Sequence, residues 1–79
     1  MFSVYVIKSA EGFLYIGQTG NLEKRLQDHN SGLSLYTKRS SGWKLLYSED
    51  YATRSEAFRR ERWLKTGKGR EYLRRILID

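Results

Sequence analysis

Two short runs rich in β-branched and aromatic residues, Phe2 to Lys8 and Phe13 to Gly17, stand on either side of Ser9-Ala10-Glu11-Gly12, and no other feature restricts the fold more. Runs of this kind favour strands and the four residues between them favour a turn, so the segment predicts a β-hairpin. Successive side chains alternate across a strand. Ser3, Tyr5 and Ile7 then share one face, Phe2, Val4 and Val6 the other, and Phe13, Tyr15 and Gly17 stand together on the second strand. Tyr5 and Tyr15 can face the same side.

Asn21 is a good N-cap for a helix from Leu22 to about Asn30, Glu23 suits the positive end of its dipole, and Gly32 is a natural stop. At about 100° per residue, Leu22 and Leu26 lie within about 40° of each other, with His29 and Arg25 on the other side of Leu22. Those two therefore edge the buried stripe, one turn apart. After a polar stretch from Leu33 to Gly42, strand character returns from Trp43 to Glu49, with Trp43, Leu45 and Tyr47 expected on one face. Thr53 and Glu56 form a capping box for a helix from Arg54 to about Thr66, which Gly67 can end. Glu61 falls inside the apolar stripe of that helix, where a carboxylate needs a partner. A last short helix, Arg70 to Leu77, would pack through Leu73, Ile76 and Leu77. The expectation is one α+β unit over residues 1–79, a small three-stranded antiparallel sheet flanked by helices in the order β-β-α-β-α-α.

A chain of 79 residues buries only roughly 60 to 65% of its extended surface, and without cysteine it has no disulfide or thiolate zinc site to staple it. No uncharged apolar run approaches the ~18 residues of a membrane span, and Met1 to Ile7 lacks a basic leader, so a cytoplasmic protein is expected. The formal charge of +6 is uneven. Residues 1–53 carry six basic and five acidic side chains (net +1), and residues 54–79 carry nine and four (net +5). A basic C-terminal third beside six tyrosines and two tryptophans favours a polyanion, whose phosphates meet the cations and whose bases meet the rings.

Tyr5, Tyr15, Arg25 and His29 all fall within the first 29 residues, a concentration of proton-handling and anion-binding groups that suggests phosphodiester cleavage rather than a plain core. Taken singly, each has a quieter reading: a strand tyrosine, a solvated arginine, a packed histidine, a glutamate paired with Arg25 or a neighbouring arginine. Together they form a pattern. Val4-Tyr5-Val6, Tyr15-Ile16-Gly17, the run from Gly17 to Leu26 containing Arg25, His29-Asn30-Ser31-Gly32 and Arg60-Glu61-Arg62 resemble the GIY-YIG nuclease family over nearly the whole chain. Tyr36-Thr37-Lys38-Arg39 and the Trp43 strand resemble its small standalone branch. Residues 62–79 offer no counterpart of an asparagine that some members carry.

The resemblance implies hydrolysis of a DNA phosphodiester by water, with Tyr5, Tyr15, Arg25, His29 and Glu61 as site residues and one Mg²⁺ or Mn²⁺ held by Glu61. The residue types suit those roles. Arg25 offers planar donors that never titrate away, and Glu61 offers oxygen to a hard cation. A phenol with a pKa near ~10 is only about one part in a thousand ionised at neutral pH, so the metal and Arg25 would have to favour the phenolate, by ~2.7 kcal/mol for about two pKa units. Either tyrosine could take the proton, and His29 competes for it.

Lys38, Arg39, Lys65, Lys68 and Arg70 are candidates for phosphate contact, with Gly67 and Gly69 letting backbone amides approach. Trp63 would pack under the sheet edge or stack on a base. No recognition helix or zinc module is evident, so binding should follow DNA structure or backbone more than sequence, in repair or recombination or beside a targeting protein. A non-catalytic nucleic-acid-binding module of the same fold is the alternative, and RNA is a third possibility.

Overall fold

The computed structural model describes residues 1–32 and 42–77. The two β-rich runs form β1 (Phe2–Lys8) and β2 (Leu14–Thr19), antiparallel, with Tyr5 opposite Gly17 and Ile7 opposite Tyr15. Strand β3 (Lys44–Tyr51) pairs antiparallel with the other edge of β1, giving the sheet order β2-β1-β3. With helices α1 (Leu22–Asn30), α2 (Arg54–Leu64) and α3 (Gly67–Leu77), the order is the expected β-β-α-β-α-α. Among the described residues no helix is long and apolar enough to cross a membrane.

Strand β1 is central and covered on both faces, which explains why Val4, Tyr5, Val6 and Ile7 are each at most 1% exposed. Val4, Val6 and Ile16 pack against Ala57, Leu64 and Leu73 of α2 and α3. On the opposite face Tyr5 and Ile7 pack with Trp43, Tyr15 and the α1 residues Leu22 and Leu26. The sheet therefore separates two small cores, and the paired tyrosines belong to the α1 side.

Caps place the helices. The Asn21 side chain accepts from the Lys24 amide at 3.1 Å, and Ser31 ends α1 before Gly32 turns the chain at φ 79°. Thr53 and Glu56 form the reciprocal box that opens α2. Beyond it the boundaries differ from expectation: α2 stops at Leu64, and Gly67 begins α3 instead of ending α2. Thr66 is the reason. Its hydroxyl oxygen accepts from the Gly69 amide at 3.2 Å, the N-cap arrangement, so the third helix starts three residues earlier than Arg70.

The tight α2–α3 junction depends on Gly69, where a Cβ would overlap the carbonyl oxygen of Trp63 and the Cα of Leu64. Gly69 is buried there, so its bareness serves helix packing and not the phosphate approach that its position suggested. Along α3, Leu73 and Leu77 pack as expected, but Ile76 is exposed and Tyr72 takes the contact with the core.

The third strand corrects another expectation. Val6 stands opposite Tyr47 and Ile7 opposite Leu45, leaving Leu46 as an extra residue in β3. A bulge of this kind reverses the alternation on either side of it. Trp43 consequently joins Tyr5 and Ile7 while Tyr47 joins Val4 and Val6, so the two do not share a face.

Helix α2 is pinned to β3 by Glu49, which accepts from Arg60 Nε at 2.9 Å, Arg60 Nη2 at 3.1 Å, the Tyr51 hydroxyl at 2.6 Å and the Tyr47 hydroxyl. Although burial pushes the Glu49 carboxyl up, these donors outweigh it and hold it below the ordinary carboxylate value. The guanidinium of Arg60 also lies 4.6 Å from the Trp63 ring centre and 5.1 Å from that of Tyr72. Trp63 stays 37% exposed and meets Tyr72 edge-on, so it packs on the α2–α3 surface and not under the sheet edge.

Candidate active site

The antiparallel register that sets Tyr5 opposite Gly17 brings the two phenols to one side of the sheet, with ring centres 6.2 Å apart. Gly17 is what makes room for them. A Cβ there would stand 2.7 Å from the Tyr5 hydroxyl and 2.9 Å from Tyr15, closer than side-chain atoms tolerate. Helix α1 crosses this face and delivers Arg25 and His29 one turn apart.

His29 does not edge the buried stripe, as its helical angle suggested; it is 0% exposed, at the centre of the aromatic cluster. Its Nε2 lies 2.8 Å from the Tyr5 hydroxyl, and its ring centre lies 5.0 Å from Tyr15 and 6.3 Å from Trp43. Trp43 is held there by Asn30, whose Nδ2 donates to the Trp43 carbonyl at 3.1 Å and whose Oδ1 accepts from the Trp43 amide at 2.7 Å. Desolvation lowers the His29 pKa, the charge of Arg25 adds to that effect and Asp28 opposes it. The imidazole is therefore neutral at neutral pH, with one ring nitrogen able to accept.

Burial pushes the Tyr5 phenol up to about 12; hydrogen bonding and charge from Arg25 pull the other way without offsetting it. Arg25 does pull Tyr5 toward phenolate as expected, but desolvation dominates at a residue 1% exposed. Glu61 acts on Tyr5 as the weakest of the raising charges, which places the carboxylate within electrostatic reach of the phenol. Arg25 itself is lowered by desolvation, but its interactions with Tyr5 and Tyr15 outweigh this and leave it above its ordinary value. Its side chain is 35% exposed and 3.9 Å from Asp28, so the cation reaches both phenols and solvent.

Glu61 is 16% exposed and carries a partner, though not an arginine: Lys65 Nζ lies 2.7 Å from its Oε2. Among the described residues no group of three or more His, Cys, Asp or Glu side chains could cage a metal. A hard divalent cation of the Mg²⁺ type accepts one carboxylate provided that waters and substrate phosphate oxygens fill its other positions. The donors present fit such an ion, completed by substrate, and do not fit an all-protein cage.

Of the expected phosphate contacts, Lys65 and Arg70 line a groove of about 540 Å³ together with Tyr15, and Lys68 does not reach it. Lys38 and Arg39 lie outside the described residues. The groove also exposes two cations that sequence reading missed, Lys8 and Arg74. Arg74 was detectable one turn beyond Arg70; Lys8 acquires its place only when the hairpin folds beside α3.

The fold and this constellation define a GIY-YIG domain: the family model of the GIY-YIG catalytic domain matches residues 1–73, and the chain belongs to that family. Its relatives are the small UPF0213 proteins. It is 46% identical over 63 residues to a UPF0213 protein of Bacillus pumilus, covering 78% of this chain and 64% of that protein. A UPF0213 protein of Staphylococcus haemolyticus is 39% identical over 74 residues, covering 92% of this chain and 90% of the relative. The solution NMR structure of a UPF0213 protein from Bacillus halodurans superposes with a TM-score of 0.58 at 26% identity, covering 96% of this chain and 85% of that one.

Proposed function

We propose that the protein is a metal-dependent endonuclease that hydrolyses a phosphodiester of DNA, guided by the structure or backbone of its substrate, in repair or recombination or where a targeting protein brings it. The observation that carries this reading is the convergence of Arg25 on both phenols, with His29 hydrogen-bonded to Tyr5 at 2.8 Å and Glu61 within electrostatic reach.

Arg25 and Tyr15, both partly exposed, receive the phosphate, and the guanidinium donates to the oxygens on which negative charge grows during attack. Tyr5 need not ionise. In the His29 tautomer protonated at Nδ1, the Tyr5 hydroxyl donates to Nε2; as Tyr5 accepts a proton from the attacking water it passes its own to the imidazole. The proton ends on His29 and no phenolate accumulates, which removes the obstacle of a pKa near 12. A divalent cation at Glu61, when bound, would polarise the phosphoryl oxygens and acidify a coordinated water.

Nicking of plasmid or branched DNA in Mg²⁺ or Mn²⁺ tests the reading. It should fall at least about a hundredfold in Arg25→Ala and Glu61→Ala proteins that keep the wild-type circular dichroism spectrum. Undiminished cleavage by either variant refutes the roles, and salt-sensitive binding with no cleavage of any DNA architecture identifies a binding module instead.

A further inference from the structure

The groove beside Tyr15 combines apolar and cationic side chains. Leu14, Ile16, Leu46, Leu73 and Leu77 are its apolar lining, and Leu14 and Leu46 are 53% and 41% exposed. Lys8, Lys65, Arg70 and Arg74 are the charged residues of its lining, without a carboxylate among them. Such a surface suits a ligand with an apolar, flat body and more than one negative charge along its edge.

We propose that this groove is a subsite for the base of an unpaired nucleotide next to the scissile phosphate, its flanking phosphates lying against the cations. The inference rests on the nuclease reading and deepens it by naming a substrate class. Three observations support it. Tyr15 stands on the edge strand β2 and belongs to both the aromatic cluster and the groove lining, so the groove adjoins the site around the edge of the sheet. Lys65, another lining residue, is bonded to Glu61 at 2.7 Å, which ties the groove to the carboxylate side of the site as well. At about 540 Å³ the space falls within the range of small-ligand pockets. A paired base inside a duplex has both faces stacked and its edge engaged, so only an unpaired one can present a face to the leucine side chains. An acidic amphipathic peptide would match the charge but has no reason to share Tyr15 with the catalytic cluster.

The test uses the full chain in buffer containing EDTA, so that binding is read without cleavage. Fluorescence anisotropy compares three DNA duplexes: fully paired, bearing one unpaired bulged nucleotide, and bearing an abasic residue at the bulge. The bulged base should bind about tenfold more tightly than its abasic counterpart, in line with the value of one stacked base. Leu14→Glu and Leu46→Glu alter exposed positions and should abolish that difference. Arg74→Ala should instead weaken all three duplexes and lower the salt slope by about 0.9 per lost phosphate contact. Equal affinity for the bulged and abasic duplexes, or discrimination that survives both leucine substitutions, overturns the subsite; so does failure to bind any of the three. A protein that discriminates in this assay yet never cleaves DNA with metal retains the subsite and loses the nuclease reading.

Discussion

The Tyr5 hydroxyl and the Nε2 of His29 stand 2.8 Å apart in an interior where neither residue is more than 1% exposed. Each shifts away from its charged form: burial drives the phenol up and the imidazole down. A neutral pair, bonded and shielded, can pass a proton from Tyr5 to His29 without a phenolate forming. Tyr5→Phe removes the relay while leaving the ring in place, so cleavage should drop by about 10²- to 10⁴-fold, measured in single-turnover nicking assays beside a Tyr15→Phe control. Full activity in Tyr5→Phe would remove Tyr5 from the proton path.

The same pair sets an acid limit. His29 has a folded pKa below its unfolded value of about 6.5, so between those two values the unfolded chain binds a proton that the folded protein does not. Stability contributed by neutral His29 is thus fully present above about pH 6.5 and lost as pH falls through the folded value. Activity should persist somewhat below pH 6.5 and then decline, and an NMR titration of the only histidine should report the same midpoint. A midpoint above 6.5 contradicts the assignment.

Gly17→Ala tests the closeness of the phenols. The added methyl would lie 2.7 Å from the Tyr5 hydroxyl, whose ring is packed beneath α1 and cannot withdraw freely. Displacement of Tyr5 should cost about 1–3 kcal/mol in urea denaturation and remove most cleavage. Gly69→Ala is its structural counterpart at the α2–α3 junction and should cost at least as much, because there the clash is with backbone.

Lys65 competes with any cation for Glu61. As an i,i+4 pair with Lys65 46% exposed, it should be worth no more than about 1 kcal/mol. Lys65→Ala should therefore tighten Mn²⁺ binding in the absence of DNA by about two- to fivefold, read by electron paramagnetic resonance. Unchanged or weaker Mn²⁺ affinity would argue against Glu61 as the metal ligand.

Arg60 and Glu49 offer a stability test apart from the site. Their bidentate bond is mostly shielded, so Arg60→Ala, which strands the carboxylate, should cost about 2 kcal/mol, less than a fully buried pair. Because the Glu49 pKa is lowered in the fold, its contribution is present above the unfolded carboxylate value and disappears as pH falls through the folded one. Urea midpoints of wild type and variant should converge as the pH is brought down through the lowered folded value of Glu49.

Local residue patterns were enough to place much of this protein. Strand propensity with a turn between predicted the hairpin and the shared side of Tyr5 and Tyr15; Asn21 and the Thr53–Glu56 box marked two helix starts to the residue. These features depend on neighbours within a few positions, and the family resemblance rode on the same short motifs. What the chain could not disclose locally depended on partners distant along it. The Leu46 bulge arises from how β3 meets β1, the burial of His29 from Trp43 and the sheet closing around it, and the rise of the Tyr5 pKa from solvent excluded by all three. Lys65 in place of an arginine beside Glu61, and the basic groove along α3, are likewise products of packing, because a side chain's exposure and charge environment are set by whatever the completed fold puts next to it.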